Sequence, residues 1–219
     1  MGLSELPDVS RAFSRLRQLA EAPRAVERCD MCSRELAGEH DHLLEPSARR
    51  LSCVCAACAV LFTGETGTRF RRVPRRVREL TDFRMTDGQW ESLRLPINLA
   101  FFFRSTPLER VVAAYPSPAG ATESTLLLET WEEIERENPI LLEMEPDVEA
   151  LLVNRVGHAR GAAPAEYFLV PADQCYRLVG LIRTKWTGLS GGSEVWGEIA
   201  RFMHEMQERS SSRYGGSRA

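Results

Sequence analysis

Five of the six cysteines stand close together: Cys29 and Cys32, then Cys53, Cys55 and Cys58. Cys29-x-x-Cys32 and Cys55-x-x-Cys58 are two-residue-spaced thiol clamps, each able to give one ion two thiolates. A soft tetrahedral metal needs four. Two clamps folded together across the 22 intervening residues supply them. The pattern predicts a zinc site on Cys29, Cys32, Cys55 and Cys58. A closed four-sulfur site is structural, because catalytic zinc keeps a position open for water or substrate. Iron in the same thiols, as in a rubredoxin-like electron carrier, is the alternative, since thiolate softness does not separate the two metals. Against iron, rubredoxin knuckles carry glycine after the second cysteine of each clamp, and here Ser33 and Ala59 occupy those places.

Three residues complicate the ligand set. Cys53 lies two positions before Cys55, so on a strand both side chains would face one way. It could replace Cys55 or be a small buried apolar residue. His40 and His42 lie between the clamps. Either could substitute for a cysteine at the metal, or both could sit on a hairpin surface.

The order clamp, His-x-His, clamp over about residues 29–60 resembles the His-Asn-His family of metal-dependent nucleases, which embed a catalytic hairpin and helix in a treble clef. After Cys58 the chain reads Ala59-Val60-Leu61-Phe62, apolar where that family has its second histidine. The catalytic set is not matched, and no catalytic residue is expected.

The clamps need a scaffold, and the composition allows one. The 219 residues are 43% hydrophobic and 27% charged, which suits a soluble globular chain with a sizeable core. No apolar run approaches the roughly 18–20 residues that cross a bilayer, and the first twenty residues lack a signal-peptide core. A cytoplasmic protein is expected, where clustered cysteines act as ligands rather than disulfides. Lys185 is the only lysine, so arginine abundance is weak evidence for nucleic-acid binding. The net charge of −3 conceals a basic first part and an acidic second part, with ten carboxylates between Glu123 and Glu149. The run Arg69 to Arg78 could grip phosphates or a protein partner through Arg71, Arg72, Arg75 and Arg76. A solvated face, or a bridge to the chain's own acidic stretch, is the plainer reading.

Hydrophobic periodicity gives the elements. Val9, Phe13, Leu16 and Leu19 predict a helix over 8–22, stopped by Pro23. Leu51 to Cys55 reads as a strand and Cys55 to Phe62 as a short helix. Asp87 is placed to cap a short helix carrying Trp90 and Leu93. Asn98–Phe103 and Arg110–Tyr115 predict a hairpin, followed by a rigid loop over Tyr115–Gly120 and a strand over Thr125–Leu128. Thr130 with Glu133 predicts a capping box. Val148–Asn154 and Tyr167–Val170 predict strands. Pro171, in a first helical turn, opens a helix that runs to about Trp186, and Ser193 caps a last helix. The four tryptophans and Cys175 read as core, and His158 as a loop residue with no evident partner. The organisation is therefore an N-terminal helix (1–25), a four-cysteine metal module with the arginine segment (26–80), an α+β domain (81–209) and a disordered tail (210–219). The fold class is α+β: a small zinc-ribbon or treble-clef module beside a larger antiparallel sheet with packed helices.

Read over most of its length, the chain resembles an uncharacterised bacterial family. The stretches that carry the resemblance are Cys29–Cys32, Leu51–Phe62, Leu95–Arg104, Tyr115–Glu123, Glu145–Arg155 and Cys175–Trp196. Genes of that family neighbour those of high-affinity [NiFe]-hydrogenases. The resemblance implies a non-enzymatic accessory or adaptor with a protein partner, hydrogenase subunits being the expected one. Nucleic acid is the lesser expectation, as a treble-clef binder without nuclease activity. No functional residue transfers from the resemblance.

Overall fold

The computed structural model describes residues 26–63, 69–124, 128–158, 161, 163–188 and 191–211. The helix expected over 8–22 lies outside them, as do residues 212–219. The described chain is α+β, with two antiparallel sheets.

The first sheet is small. Strand β1 (Asp41–Glu45) pairs with β2 (Arg50–Val54) as a hairpin, and β3 (Arg71–Arg72) joins the other side of β1. Helix α1 (Ala56–Leu61) follows β2 directly, with Cys55 at its N-cap. The core of this module is meagre. Among the described residues its buried cluster is Leu43, Val54 and Ala59 with Cys29 and Cys58, and Met31, Leu36, Phe62 and Phe70 pack partly buried against it. So small a core supplies little hydrophobic stabilisation, and modules of this kind ordinarily need a metal or disulfides.

The second sheet has six strands in the order β4-β9-β8-β5-β6-β7: β4 (Arg78–Glu79), β5 (Leu99–Ser105), β6 (Arg110–Ser117), β7 (Gly120–Ser124), β8 (Glu149–Asn154) and β9 (Glu166–Pro171). Its middle strands read as near-continuous apolar runs because both faces are covered. Phe101, Leu152 and Phe168 point to one side, where α4 (Ala172–Lys185) and α5 (Gly192–Ser211) pack with Leu178, Ile182, Ile199 and Phe202. Phe102, Leu151 and Leu169 point to the other, against Trp90 of α2 (Asp87–Ser92) and Trp131 and Ile134 of α3 (Leu128–Glu137). Successive residues alternate between the two cores, as the two-residue period of a strand requires.

Several local expectations are corrected. The cap of α2 is Thr86, whose side chain accepts from Gln89 N–H while the Gln89 side chain accepts from Thr86 N–H; Asp87 is in the first turn. The Tyr115–Gly120 stretch is mostly strand, with Pro116 opposite Ala121 in β6–β7. Proline is tolerated there because β5 pairs only as far as Ala114, so no partner on that side lacks a donor. Helix α3 already includes Thr130, and α5 starts at Gly192 and continues through Ser211, past the expected start of the tail. His158 has a partner after all: its Nε2 lies 3.4 Å from Asp87 Oδ1.

The arginine segment ties the two sheets together. Arg71–Arg72 belongs to the small sheet and Arg78–Glu79 is an edge strand of the large one. The division expected near residue 80 therefore falls after, not before, the chain enters the large sheet. Between them Val73 packs with Leu44 and Val148, and Val77 enters the large core. Arg76 makes a bidentate pair with the fully buried Glu149, through Nε at 2.6 Å and Nη2 at 2.8 Å. That hydrogen bond, against the opposing effect of burial, pushes the Arg76 guanidinium above its ordinary range.

Candidate metal centre

The first clamp is a tight turn. Ser33 N–H donates to Cys29 C=O at 2.8 Å, Cys29 N–H donates to Arg34 C=O at 2.8 Å, and Arg28 bridges Glu35. Ser33 takes the left-handed conformation, φ 58°, that glycine usually fills at such a turn. The second clamp is the entry to α1. Cys55 is extended at the N-cap (φ −76°, ψ 159°), and Cys58 lies one turn on, buried under the hairpin.

The hairpin brings the clamps together. Sγ atoms of Cys29, Cys32, Cys55 and Cys58 all lie within 4.8 Å of one another. Cys32 Sγ and Cys55 Sγ are 3.8 Å apart. Four thiolates at about 2.3 Å from one zinc ion form a tetrahedron with edges of about 3.8 Å. The cluster thus has the size and donor chemistry of a metal site, and it could hold an ion of that class.

The thiols are not equivalent. Burial pushes the Cys29 thiol up, but the backbone N–H groups of Cys55, Met31 and Cys32 outweigh it and bring it down to about 6. Cys55 is lowered, first by a backbone hydrogen bond from Cys58. Cys58 is pushed up to about 12 by burial, and its hydrogen bonds with Cys32, Cys55 and Cys29 add to the rise. Backbone donors, with help from neighbouring thiols, thus lower Cys29 and Cys55 while burial raises Cys58. A bound dication would complete the deprotonation, as coordinated thiols ionise outright.

The residues weighed as substitutes stand elsewhere. Strand β2 ends at Val54, and Cys55 turns away with the helix. Cys53 is left opposite His42 in the hairpin register. A ring nitrogen of His40, a ring nitrogen of His42 and Cys53 Sγ form a separate group, again within 4.8 Å of one another. Cys53 is raised by burial, with the charges of Asp30, Glu27 and Asp173 adding to it. Asp173, at the start of α4, accepts from His42 Nδ1 at 3.0 Å. It was not singled out in the sequence, because only the docking of α4 on the hairpin brings it near.

The arginines are engaged within the chain. Arg71 pairs with Asp147, Arg72 and Arg75 with Asp41, Arg76 with Glu145 and Glu149, and Arg78 with Glu143. The acidic stretch before β8 is thus the counterpart of the arginine run. Cys175 lies in the large core, where burial pushes its thiol up. Trp90 and Trp131 are core residues, and Trp90 Nε1 donates to Asn98; Trp186 is only partly buried and Trp196 is exposed, so the expectation of four core tryptophans is corrected. A small apolar cavity of about 90 Å³ lies where the hairpin meets the large sheet, between Leu44, Phe101, Phe103 and Tyr176. No helix among the described residues is long and apolar enough to cross a membrane.

No curated protein and no solved structure matches the chain. A family described as a family of unknown function (DUF5947) matches residues 28–210, from the residue before the first clamp almost to the end of α5. The chain belongs to that family of unknown function.

Proposed function

We propose that this protein is a non-enzymatic accessory or adaptor whose four-thiol cluster holds a structural zinc ion in a treble-clef-like module. The observation that carries the reading is the convergence of four sulfurs within 4.8 Å in a module whose described core is small. The order of parts supports a treble clef: a knuckle at Cys29–Ser33, the β1–β2 hairpin, then a helix bearing two ligands at its start. The zinc would fix the hairpin, and the hairpin carries Leu44 and the arginine segment onto the large sheet. The partner we propose is a subunit of a [NiFe]-hydrogenase, on the strength of the family resemblance described from the sequence. A cytoplasmic location belongs to the same reading and suits six cysteines that are all free thiols.

Iron is the second reading, because Cys32 is exposed and Cys55 half-buried. One edge of the sulfur cluster therefore faces solvent, where an electron could enter. Elemental analysis and the visible spectrum of protein purified from its native host separate the two: zinc is colourless, whereas oxidised iron in four thiolates is red. Hydrogenase subunits should co-purify with the tagged chain. Their absence under mild extraction would remove the proposed partner, and a metal-free native protein would remove the structural role.

A further inference from the structure

Outside the four-thiol cluster, the described residues contain one other compact group of metal-ligating side chains: His40, His42 and Cys53. His42 and Cys53 face each other across β1 and β2, and His40 stands just before β1, its ring 4.8 Å from that of His42. Cys53 is held in place from behind. Its N–H donates to Asp30 Oδ2 at 2.7 Å, and its carbonyl accepts from Asp30 N–H at 2.9 Å.

The hydrogen bonds around the two imidazoles decide which nitrogens are available. A carbonyl oxygen can only accept, so the 3.0 Å contact of His40 Nδ1 with Ala37 C=O places the ring proton on Nδ1. In the neutral ring Nε2 is then a bare lone pair. The His40 side chain is only 8% exposed, and its Nε2 is buried with no hydrogen-bond partner. A buried acceptor without a partner is destabilising, so a site that keeps one calls for a ligand. His42 Nδ1 is likewise taken by Asp173 Oδ2 at 3.0 Å, which leaves its Nε2 as the free nitrogen. Metal-bound histidines show this arrangement: the second ring nitrogen donates to a backbone carbonyl or a carboxylate, fixing tautomer and orientation. Asp173 Oδ1 is also buried and unpartnered.

We propose that His40, His42 and Cys53 form a second metal site, distinct from the four-thiol centre, that takes a borderline transition-metal ion such as Zn2+ through two imidazole nitrogens and one thiolate. Donors of this kind bind zinc at about 2.0–2.3 Å, so ligands of one ion stand about 3.3–3.8 Å apart, and a group already within 4.8 Å is near that spacing. The carboxylates of Asp30, Glu27 and Asp173 act on Cys53, a negative surrounding that favours a cation. With three protein ligands the fourth position stays open. His40 and His42, though not Cys53, border a polar cleft of about 480 Å³ together with Asp173 and Arg177, from which water or a small anion can reach that position. The first site is closed by four sulfurs. The second has the mixed donors and open position of an exchangeable or reactive ion.

The test is metal stoichiometry of the full chain, loaded with Zn2+ and passed through a weak chelator, measured by elemental analysis. Wild type should retain about two equivalents. Cys53→Ser and His42→Ala should each retain about one, with unchanged far-ultraviolet circular dichroism. Cys32→Ser should lose the other equivalent, which keeps failure at one site distinguishable from failure at the other. Asp173→Asn removes no ligand, yet should weaken the second ion about 10–100-fold in a competitive titration. Cobalt substitution supplies an independent signature: the sulfur-to-cobalt band of the weaker site should vanish in Cys53→Ser. One equivalent in wild type that is lost in Cys32→Ser and kept in Cys53→Ser would overturn the proposal. So would two equivalents that both survive His42→Ala and Cys53→Ser.

Discussion

Arg76→Ala should destabilise the protein by about 2–3 kcal/mol, and the loss should originate in Glu149 rather than in the arginine. The Glu149 side chain is 0% exposed, and its carboxylate accepts two bonds from Arg76 and one from Glu145 N–H at 3.0 Å. Without the guanidinium a buried carboxylate keeps a single backbone donor. Breaking a fully buried pair costs about 3–5 kcal/mol. The Arg76 side chain is 37% exposed, so water can enter the vacated space, and the discounted range of about 2–3 kcal/mol applies. For a chain of 219 residues each kcal/mol moves the melting temperature by about 2–4 °C, so a fall of about 4–12 °C is expected. Thermal and urea unfolding of the metal-loaded protein measure it. The double variant Arg76→Met with Glu149→Leu should regain most of the loss, because no charge is left stranded. A cost below about 1 kcal/mol for Arg76→Ala would refute the reasoning. So would a double variant as unstable as the single one, since desolvation of Glu149 would then not be the cause.

Cys58→Ser should lose the four-thiol metal and the hydrogen-exchange protection of β1 and β2. The fluorescence of buried Trp90 and Trp131 should stay native, because the large sheet has its own two cores. Gly191→Ala should cost about 1–3 kcal/mol in urea unfolding, since φ is +87° there and a Cβ would sit 2.8 Å from Val195 Cγ1 and 3.2 Å from the Trp186 ring. The Arg177 hydrogen bond holds the Glu205 carboxyl below its usual range, with burial opposing and the charges of Arg177 and Arg209 assisting. A lowered folded value gives stability that is complete above the unfolded carboxylate range of about 4.3 and is lost as pH falls through the folded value. Glu205→Gln should therefore cost under about 1 kcal/mol at about pH 7, since the pair is partly exposed, and progressively less as the pH falls through the lowered folded value; urea midpoints at neutral and acidic pH check the sign.

The sequence carried what local chemistry controls. Two clamps, the strand and short helix around the second of them, and apolar runs long enough for strands were all legible. Spacing alone pairs Cys29 with Cys32 and Cys55 with Cys58, because each clamp closes within one turn. What spacing could not resolve was Cys53. A period of two suggested that it shared a face with Cys55, but the strand ends at Val54 and the helix cap redirects Cys55. Turn and cap chemistry likewise hid behind stronger-looking signals. Thr86 and Gln89 formed a capping box beside the more conspicuous Asp87, and Pro116 read as a loop residue although its strand needs no donor there. The role of Asp173 lies beyond any local reading, since it meets His42 only after α4 has docked 131 residues further along the chain.

Hairpin alignment has a consequence for which donors meet. His42 lies across from Cys53 because Asp41 pairs with Val54 and Glu45 with Arg50. A slip of one place would set Ser52 or Val54 opposite the imidazole, neither of which supplies a sulfur. The Pro46–Arg49 turn, closed by Arg49 N–H to Pro46 C=O at 3.3 Å, fixes that alignment. An insertion or deletion in this turn would thus scramble the nitrogen–sulfur trio while leaving every one of its residues present in the chain.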